Sequence, residues 1–474
     1  MPFNIKLKVI SEEDLARVHD ASLKILEETG VAFQCEEALE IFKINGAKVK
    51  NKTVYLPQKM VEDALESAPD TFRWYARNEA HSVTLGEGYA VEPNVGPVYI
   101  QDLDNGRRLG KLEDYANIQK LCQSSDIVNL VGATPIDPSD VEGNKKHLYM
   151  LYETIKNTDK PVIGMCANKA HNLESLKFME LALGKEGVLQ DKVYMSVSVN
   201  PLSPLAYGPA AAETIIEYSK QKQAIMILPC IMAGVTGPIS LFGTVVLQNA
   251  EILAGIVLTQ LINPGNPVVA GPCSSVAYMK KASYITGSPE MMLIDVAGLQ
   301  MFLDLYKMPT RIMTGMTDSK VVDCQAGYET MQNMMLGILS GAHVIHECLG
   351  VLDSIMTTSY EKFIIDEELL SRVMRISEGL DTSEEAMMLD VIQKIGNSGS
   401  YLLHPSTFEG YRDHWLPRVS DWEPFSDWQN AGSQDVVIRA NRKFKERLRS
   451  APESLIDPEL DKELKAFIRC IRKE

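Results

Sequence analysis

The chain has 474 residues, a formal net charge of −16 and 45% hydrophobic residues, which is enough for a large core in one to three domains. The acidic balance and the lack of a long basic stretch argue against a nucleic-acid-binding protein. The longest apolar segment, Ile252–Ile262, is too short to span a bilayer, which takes about 20 residues, so no membrane partner is expected.

Two further features indicate a cytoplasmic protein. The first eight residues contain no apolar run of the length that a secretion signal needs. The eight cysteines are scattered along the chain without a C-x-x-C pair. This distribution is typical of free thiols in a reducing compartment and not of a disulfide framework.

The first predicted element is an amphipathic helix over residues 11–30. Ser11 and Asp14 form a capping-box pattern at its start, and Gly30 is its expected end. From Val31 to about Gly110, short helices alternate with short strands that are separated by turns. This part of the sequence predicts an N-terminal α+β cap, residues 1–110.

From Leu112 onward the pattern changes to a repeat of one apolar strand and one helix. Continuous apolar runs are typical of parallel strands that are covered on both faces. The predicted strands are Val128–Thr134, Pro161–Ala167, Lys192–Val199, Ala224–Ala233, Pro267–Gly271, Arg311–Gly315 and Ala342–Ile345, with Ser398–Leu403 as the candidate eighth. Eight such units predict an α/β fold, a (β/α)8 TIM barrel over residues 111–406. An open, doubly wound sheet is the alternative.

Residues 407–474 are predicted to form a C-terminal extension, aromatic at first and helical later. Its aromatic cluster includes Trp415, Trp422 and Trp428, and clustered aromatic residues favour packing on the barrel or on a neighbouring subunit. The apolar helix predicted at 243–263 is expected in the core or at a subunit contact. We therefore expect a homo-oligomer.

Polar residues collect where the predicted strands end, and ligands bind at that end of parallel α/β sheets and barrels. Asp318 and Lys320 follow one strand, and His346 and Glu347 follow the next. A carboxylate flanked by apolar residues, as Glu347 is, costs free energy unless it has a purpose. We predict Glu347, His346 and Asp318 as catalytic residues. The alternatives are an Asp318–Lys320 ion pair and a structural role for His346.

The other strand ends carry many small residues and few titratable groups. This composition indicates a wide opening at the carboxyl ends of the strands, which we call the mouth. A wide mouth suits a bulky partner or cofactor, which would itself carry the chemistry. No H-E-x-x-H or G-x-S-x-G motif is present, and His343 and His346 fall on opposite faces of a strand, so no metal site is predicted. The predicted substrate-binding residues at these strand ends are Asn200, Gly234, Thr236, Gly271 and Lys320.

Three long segments carry a resemblance to a known family. They are TGMTDSKVVDCQAGYETMQNMMLGILSGAHVIHECLGVLDS, ILPCIMAGVTGPISLFGTVVLQNAEILAGIVLTQLINPGNPV and the later HPSTFEGYRDHWLPRVSD. Their sequence and order resemble the trimethylamine methyltransferase family of corrinoid-dependent enzymes. The resemblance implies a (β/α)8 barrel that passes a methyl group from a methylated amine to Co(I) of a separate corrinoid protein, so that the partner carries the corrinoid (cobalamin) cofactor.

Archetypal members of that family carry pyrrolysine, whereas this sequence has only ordinary residues. It is therefore similar to the branch whose substrates are quaternary amines such as glycine betaine, proline betaine and carnitine. Such an amine leaves in its neutral form, so no general acid is needed, and the positive charge falls in the transition state. An ion pair to the nitrogen would then favour the ground state, whereas aromatic faces hold the cation with less penalty.

The resemblance thus directs attention to aromatic residues near the predicted mouth. The candidates are Tyr99, Tyr207 and Tyr278. A betaine carboxylate would need donors, and Lys320, His346, Asn200 and the backbone N–H groups near Gly234 and Gly271 are the candidates. Two alternatives remain open. One is a zinc-dependent methyltransferase that uses the thiols of Cys166, Cys273 and Cys348, and the other is a non-catalytic quaternary-amine-binding protein.

Overall fold

The computed structural model describes residues 6–471, and its N-terminal part alternates short helices with short strands. Ser11 begins the first helix through a capping box, because its hydroxyl accepts from the backbone N–H of Asp14 while the Asp14 carboxylate accepts from Ser11 N. The elements of this part are α1 (Glu12–Lys24), β1 (Val31–Phe33), α2 (Glu36–Ile44), β2 (Lys48–Lys50), β3 (Thr53–Tyr55), α3 (Gln58–Ser67), β4 (Phe72–Trp74), β5 (Val83–Leu85), β6 (Ala90–Val91), β7 (Tyr99–Asp102) and β8 (Gly106–Leu109).

A longer series of strands and helices follows. The helix predicted at 243–263 is present, whereas most strands are shorter than predicted. The elements are α4 (Leu112–Gln123), β9 (Val131–Gly132), α5 (Lys146–Asn157), β10 (Val162–Gly164), α6 (Lys169–Ala182), β11 (Met195–Val199), β12 (Ala206–Tyr207), α7 (Pro209–Lys220), β13 (Ala224–Ile227), β14 (Met232–Ala233), α8 (Leu241–Ile262), β15 (Val268–Ala270), β16 (Ser275–Tyr278), β17 (Ser283–Tyr284), α9 (Pro289–Gln300), β18 (Arg311–Met313), α10 (Cys324–Leu339) and β19 (Val344–His346).

The last part is mostly helical. It begins with a short hairpin and ends with two amphipathic helices that pack on the preceding layer. Its elements are β20 (Val351–Leu352), β21 (Thr357–Ser359), α11 (Tyr360–Ser377), α12 (Leu389–Ile395), α13 (Pro405–Gly410), α14 (Phe425–Asn430), α15 (Val436–Ser450) and α16 (Pro458–Cys470).

Parallel strands form the centre of the molecule. Five of them pair in the order β15-β13-β11-β10-β9, and three more in the order β18-β19-β6. A parallel bridge between Ala270 and Thr310 joins β15 to the chain entering β18. Beside β6, the carbonyl of Val91 accepts hydrogen bonds from Leu130 N at 3.0 Å and Asn129 N at 2.9 Å. The two sheets therefore contact each other at both edges in an α/β fold.

The apolar core has two parts. The larger cluster lies mainly between these strands and the surrounding helices, whereas the smaller one contains the strand side chains that point the other way, such as Met226, Val269 and Met313. Trp74 belongs to the smaller cluster, is fully buried, and forms a bridge to Val193 just before β11. The hairpin β4–β5 therefore covers the amino-terminal end of the strands and leaves the carboxyl end for the site.

Two sequence predictions about this core have different outcomes. The apolar helix predicted at 243–263 is α8; it is long enough to cross a membrane, but 78% of its most apolar window is buried inside the protein. The eighth strand predicted at 398–403 is wrong, because Ser398–Leu403 forms turns and Leu403 is 92% exposed. Instead, β6 from the N-terminal part pairs with β19. A two-residue strand leaves almost no periodic signal in a sequence.

Glu251 is a buried carboxyl group of α8 that holds the loop before β12. Its two oxygens accept hydrogen bonds from Ser203 Oγ at 2.7 Å and from Leu205 N at 2.8 Å. Burial outweighs these hydrogen bonds and raises the pKa of Glu251 from 4.5 to about 7. The folded protein therefore keeps a proton on Glu251 at pH values where the unfolded chain has released it.

We expect Glu251→Gln to stabilise the protein at alkaline pH. The contribution of protonated Glu251 is complete below pH 4.5 and is lost as the pH rises through about 7. Since the variant stays neutral, its free energy of unfolding should exceed that of the wild type by about 3 kcal/mol at pH 8.5, and the two should be similar at pH 5. Denaturant unfolding at both pH values measures the difference. Equal stability at both pH values would contradict the prediction.

Candidate active site

Four charged side chains meet at the carboxyl ends of β6, β18 and β19. Glu92 follows β6, Arg311 begins β18, His346 ends β19 and Glu347 follows it; each is 2% exposed or less. Arg311 Nη2 lies 2.5 Å from Glu92 Oε1, and His346 Nδ1 contacts the same oxygen. His346 Nε2 lies 3.0 Å from Glu347 Oε1. The four groups thus form one continuous chain of ion pairs.

The charges of this chain stabilise one another. Burial alone would raise the pKa of Glu92, but Arg311 and His346 lower that pKa to about 2. Burial and Arg311 oppose the protonation of His346, yet the two neighbouring carboxylates raise its pKa above the usual value. Glu92 is therefore an anion, and His346 is favoured as a cation between two carboxylates.

The backbone at Glu347 is held in a conformation that side chains other than glycine rarely adopt. Its φ is +51°, and Gly315 N donates to its carbonyl at 2.8 Å. A Cβ on Gly315 would lie 2.4 Å from Cys348 Cα, so only glycine allows this close approach. The Glu347 carboxylate also accepts from Val95 N at 2.9 Å. Strain of this kind concentrates at functional sites.

Two thiols lie at the neighbouring strand ends. Cys230 follows β13 and Cys273 follows β15, and their Sγ atoms are 3.1 Å apart. Asn200 Nδ2 donates to Cys230 Sγ at 3.3 Å and to the carbonyl of Leu228 at 2.8 Å. Tyr284 reaches in from β17, and its hydroxyl donates to the carbonyl of Cys273 at 2.5 Å. Both the positive charge of Arg311 and the negative charge of Glu347 act on the pKa of Cys230, so the thiols adjoin the charged cluster.

Several buried polar atoms of this region have no hydrogen-bond partner among the described residues. They are Glu92 Oε2, Asn94 Oδ1, Arg311 Nε and Glu347 Oε2. Buried polar groups are nearly always paired, with protein, water or ligand. Unpaired carboxylate, amide and guanidinium atoms in one place are what a site for a small polar ligand provides before the ligand binds.

Three of the predicted residues come together here. Glu347 and His346 are part of the charged chain, and Asn200 is linked to it through Cys230. Asp318 instead ties loops together, since it accepts from Thr286 N at 3.0 Å, Gly287 N at 2.9 Å and Ser354 Oγ at 2.5 Å. The proposed Asp318–Lys320 ion pair is not formed. Lys320 is exposed, its ammonium donates to the Asp318 carbonyl, and it lies 3.7 Å from the carboxylate of Asp353.

Two of the three predicted aromatic residues already have packing or cation partners. Tyr207 is fully buried, stacks on Phe33 at 4.9 Å, and donates its hydroxyl to the carbonyl of Glu251. The face of Tyr99 already holds a cation, because the Arg107 guanidinium lies 3.6 Å from its ring centroid. Tyr278 is 45% exposed on β16, within a hairpin beyond the strand ends. These surroundings do not fit substrate binding by Tyr207 or Tyr99.

The small residues predicted at the strand ends stabilise turns and allow close packing of the backbone. Gly234 N donates to the Gly237 carbonyl, and Thr236 Oγ1 accepts from Met232 N, so both residues shape a turn after β14. Gly271 N donates to the carbonyl of Ile227, and a Cβ on Gly271 would lie 1.9 Å from Leu228 Cδ2. The N–H groups of Gly234 and Gly271 themselves are therefore already used, whereas carboxylate binding by N–H groups near these glycines stays a prediction.

Sequence reasoning missed Arg311, Cys230 and Tyr284 as site residues and gave no assignment to Glu92 and Asn94. A signal for Arg311 is present in the sequence, since a charged residue inside an otherwise apolar strand must be paired when it is buried. Glu92 had the same signal, but its strand was assigned to the cap. No sequence signal identifies Tyr284, which reaches the site through the fold of a hairpin.

The three cysteines of the alternative zinc site, Cys166, Cys273 and Cys348, have different surroundings and do not contact one another. Cys166 is exposed and contacts Thr214, whereas Cys348 donates to the carbonyl of Glu92 and Cys273 contacts Cys230. Within residues 6–471, one group of three possible metal ligands has its ligand atoms within 4.8 Å of one another. It consists of His147, His171 and Glu174 on α5 and α6 and contains no cysteine. The structure therefore gives no support to a zinc–thiolate site.

The sequence and the fold both match a known family. The family model described as "Trimethylamine methyltransferase (MTTB)" matches residues 4–474. The chain belongs to this family. It is 37% identical to the glycine betaine methyltransferase of Desulfitobacterium hafniense (strain Y51), over 99% of this chain and 98% of that protein. It is 34% identical to the proline betaine:corrinoid methyltransferase of Eubacterium limosum, over 93% of each chain.

A solved structure shares the fold. The Methanosarcina barkeri monomethylamine methyltransferase (MtmB) superposes with a TM-score of 0.52 at 11% sequence identity, over 95% of this chain and 90% of that chain. At this identity the similarity shows the α/β fold alone.

We expect Glu92→Gln to destabilise the protein strongly. It removes the carboxylate that pairs with Arg311 and His346, and breaking a buried ion pair typically costs about 3–5 kcal/mol because a charge is left uncompensated. The free energy of unfolding in urea measures the loss. The control is Asp63→Asn, which breaks the exposed pair with Lys59 at 2.8 Å and should leave stability unchanged. Equal effects of the two variants would contradict the proposed importance of the buried network.

Proposed function

We propose that this protein is a methyltransferase that moves a methyl group from a betaine-type quaternary amine to Co(I) of a separate corrinoid protein. The observation that carries the proposal is the buried cluster of charged and unpaired polar groups at the strand ends. Membership of the trimethylamine methyltransferase family supports the reaction. Near full-length similarity to proteins named as glycine betaine and proline betaine methyltransferases supports the substrate class.

The proposal includes a closed (β/α)8 barrel made from β6, β9, β10, β11, β13, β15, β18 and β19. The contacts between the two parallel sheets at both edges support closure, as does the apolar cluster that these strands share. We keep the division into an N-terminal cap (1–110), a barrel (111–406) and a C-terminal extension (407–474). The cap then contributes β6 as one barrel strand.

The arrangement suits the binding and orientation of a cationic substrate. Glu347 presents an unpaired carboxylate oxygen, which attracts the ammonium group over a distance without a directional hydrogen bond. His346 and Val95 N hold this carboxylate in place, while Glu92, which is itself paired with Arg311, holds His346. A fixed geometry of this kind lowers the entropic cost of aligning the methyl carbon. When the partner's corrinoid is bound, its Co(I) supplies the nucleophile.

The rim of the mouth offers a surface for the corrinoid protein. Two loops beyond the strand ends expose apolar side chains: Val235 (45%), Ile239 (71%), Tyr278 (45%) and Met279 (60%). Exposed apolar groups that lie together commonly mark an interaction surface. A partner seated here would bring its cofactor over the charged cluster, and the cofactor would remain with the partner.

An optical assay tests the proposed reaction. The protein is mixed with a corrinoid protein reduced to Co(I), and glycine betaine, proline betaine, carnitine, choline and trimethylamine are added in turn. We expect the spectrum of methyl-Co(III) with one or more of the quaternary amines. Silence with all five amines, with a corrinoid partner that is methylated by another enzyme, would refute the reaction. Amine binding without methylation would point to a binding protein instead.

We expect Glu347→Gln to lower methyl transfer about 10-fold at low amine concentration, because the variant loses the fixed charge that attracts the ammonium group of the substrate and therefore binds the amine more weakly. The folded state should persist, since the amide oxygen can still accept from Val95 N. The matched control is Glu361→Gln. Glu361 is similarly buried and also accepts from a backbone N–H, that of Leu103 at 2.9 Å, but its partners include residues of the turn after β7 and of α15 and do not belong to the charged chain. Equal turnover of the two variants would remove Glu347 from the site.

We also propose a cytoplasmic homo-oligomer. Residues 380–425 carry many exposed apolar side chains, among them Leu380 (79%), Leu403 (92%), Phe408 (75%) and Phe425 (73%). This segment follows α11, which runs back from the mouth, so a corrinoid protein docked at the mouth would not cover it. A second copy of the chain is the partner that fits such a surface.

Sedimentation equilibrium at micromolar concentration should give a mass that is a multiple of 52.7 kDa. The double variant Leu403→Asp and Phe408→Asp should sediment as a monomer, because charges on the apolar surface oppose association. A monomeric wild type would contradict the proposal, and so would an assembly that survives both substitutions.

A further inference from the structure

We propose that Cys230 and Cys273 form a reversible oxidation site that switches off methyl transfer. In this proposal Cys230 reacts with a peroxide, and Cys273 then displaces the oxidised oxygen to form a disulfide at the mouth. The effect on turnover rests on the proposed function, whereas the formation of the disulfide does not.

The fold places the two thiols against each other. β13 and β15 are parallel neighbours, and Ile227 pairs with Ala270 in their register. Cys230 lies three residues after Ile227, and Cys273 lies three residues after Ala270. The two neighbouring segments therefore place the thiols side by side. The Sγ atoms are 3.1 Å apart, about 1 Å more than the length of a disulfide bond. A small movement of one loop is therefore enough to join them.

The two thiols differ in accessibility. Cys230 is exposed at the mouth, whereas Cys273 is 2% exposed and donates a hydrogen bond to the carbonyl of Pro229 at 3.0 Å. A peroxide in the mouth reaches Cys230 first. The buried thiol is then already in contact with the sulfur that has been oxidised. An accessible thiol beside a resolving thiol is the arrangement found in redox-sensing cysteines.

The surroundings also differ in their effect on ionisation. The contact with Cys273 and the hydrogen bond from Asn200 lower the pKa of Cys230, with a further contribution from the charge of Arg311. Burial raises the pKa of Cys273, which therefore keeps its proton. Because the thiolate is the reactive form, these environments support the same order of events as the accessibility does.

The atoms and electrons of the two steps balance. The Cys230 thiolate attacks one oxygen of the peroxide, which breaks the O–O bond and gives a sulfenic acid and hydroxide. Cys273 sulfur then attacks Cys230 sulfur; the S–O bond breaks, and the hydroxyl leaves as water with the proton from Cys273. Two thiols are oxidised by two electrons, and one peroxide is reduced. A thiol reductant reverses the change.

The disulfide would alter the site in two ways. It removes the Cys230 sulfur from its contact with Asn200, and it ties the loop after β13 to the loop after β15. A displacement of about 1 Å near the reacting groups can lower turnover about 100-fold. The same loops continue to the exposed side chains of Val235 and Tyr278, so the surface proposed for the corrinoid partner would be fixed as well.

The test separates oxidation from activity. The full-length reduced protein is treated with one equivalent of hydrogen peroxide without the corrinoid partner, and the peroxide is then removed. Peptide mass spectrometry under non-reducing conditions should show residues 230 and 273 cross-linked with the loss of two hydrogen atoms. Methyl transfer, assayed afterwards with fresh Co(I) partner, should fall about 100-fold and return after reduction with a dithiol.

Two variants sharpen the test. In Cys273→Ser the cross-link should disappear, and Cys230 should be found as its sulfenic or sulfinic acid. Cys324→Ser removes another exposed thiol, at the start of α10, and should leave both the cross-link and the response to peroxide unchanged. If Cys273→Ser does not fold, Cys230→Ser serves instead and should likewise abolish the cross-link.

The outcomes are distinct. A folded wild type in which both thiols stay free after peroxide treatment would overturn the proposal, and so would a quantitative cross-link with unchanged turnover. If the reduced wild type methylates no partner with any amine, the proposed function fails, while the mass measurement still decides whether the two thiols form an oxidation site.

Discussion

The ion pair between Glu92 and Arg311 is the interaction on which the rest of the site depends. The two residues are 219 positions apart in the chain and are both buried. A buried charge is tolerated only when it is paired, so Arg311 requires the N-terminal part of the chain to bring Glu92 to the strand ends. This requirement explains why β6 lies beside β19. His346 uses the same carboxylate, and through it Glu347 is held at the mouth.

The sequence was sufficient to predict helices α1 and α8, and it led to a candidate site at the strand ends where the structure places a buried charged cluster. Helices such as α1 and α8 have long periodic or apolar patterns and clear ends, and Glu347 and His346 were identified because polar residues follow an apolar strand. The eighth parallel strand was misplaced, because β6 has two residues and belongs to a region with many short strands. Ser398–Leu403 has the composition of a strand but no neighbour to pair with.

The set of residues that form the charged cluster was harder to predict than the strand ends at which it lies. Tyr207 seemed suitable because aromatic rings bind cations, yet its ring packs on Phe33 and its hydroxyl is used in the core. The same is true of Gly271, whose lack of a side chain serves close packing against Leu228. Arg311, Cys230 and Tyr284 come from three different strands or loops. Their proximity depends on the register of neighbouring strands, which a single sequence does not contain.

Methyl transfer from a quaternary amine requires no proton transfer from the charged cluster. A leaving amine that is already neutral needs no proton, so the protein has only to hold a cation in position and to keep the path to its methyl group open. In the proposed function, Glu347 supplies the charge and the mouth beside Cys230 and Asn200 supplies the opening. An exposed thiol at such a place brings sensitivity to oxidants.

A crystal structure of the protein with a bound quaternary amine would test the central claim most directly. The amine is expected at the carboxyl ends of the strands, with its ammonium group near the Glu347 carboxylate and one methyl group directed toward the open mouth between Val235 and Tyr278. A ligand bound away from this cluster, or one whose methyl groups all face the buried side chains, would contradict the assignment of the site.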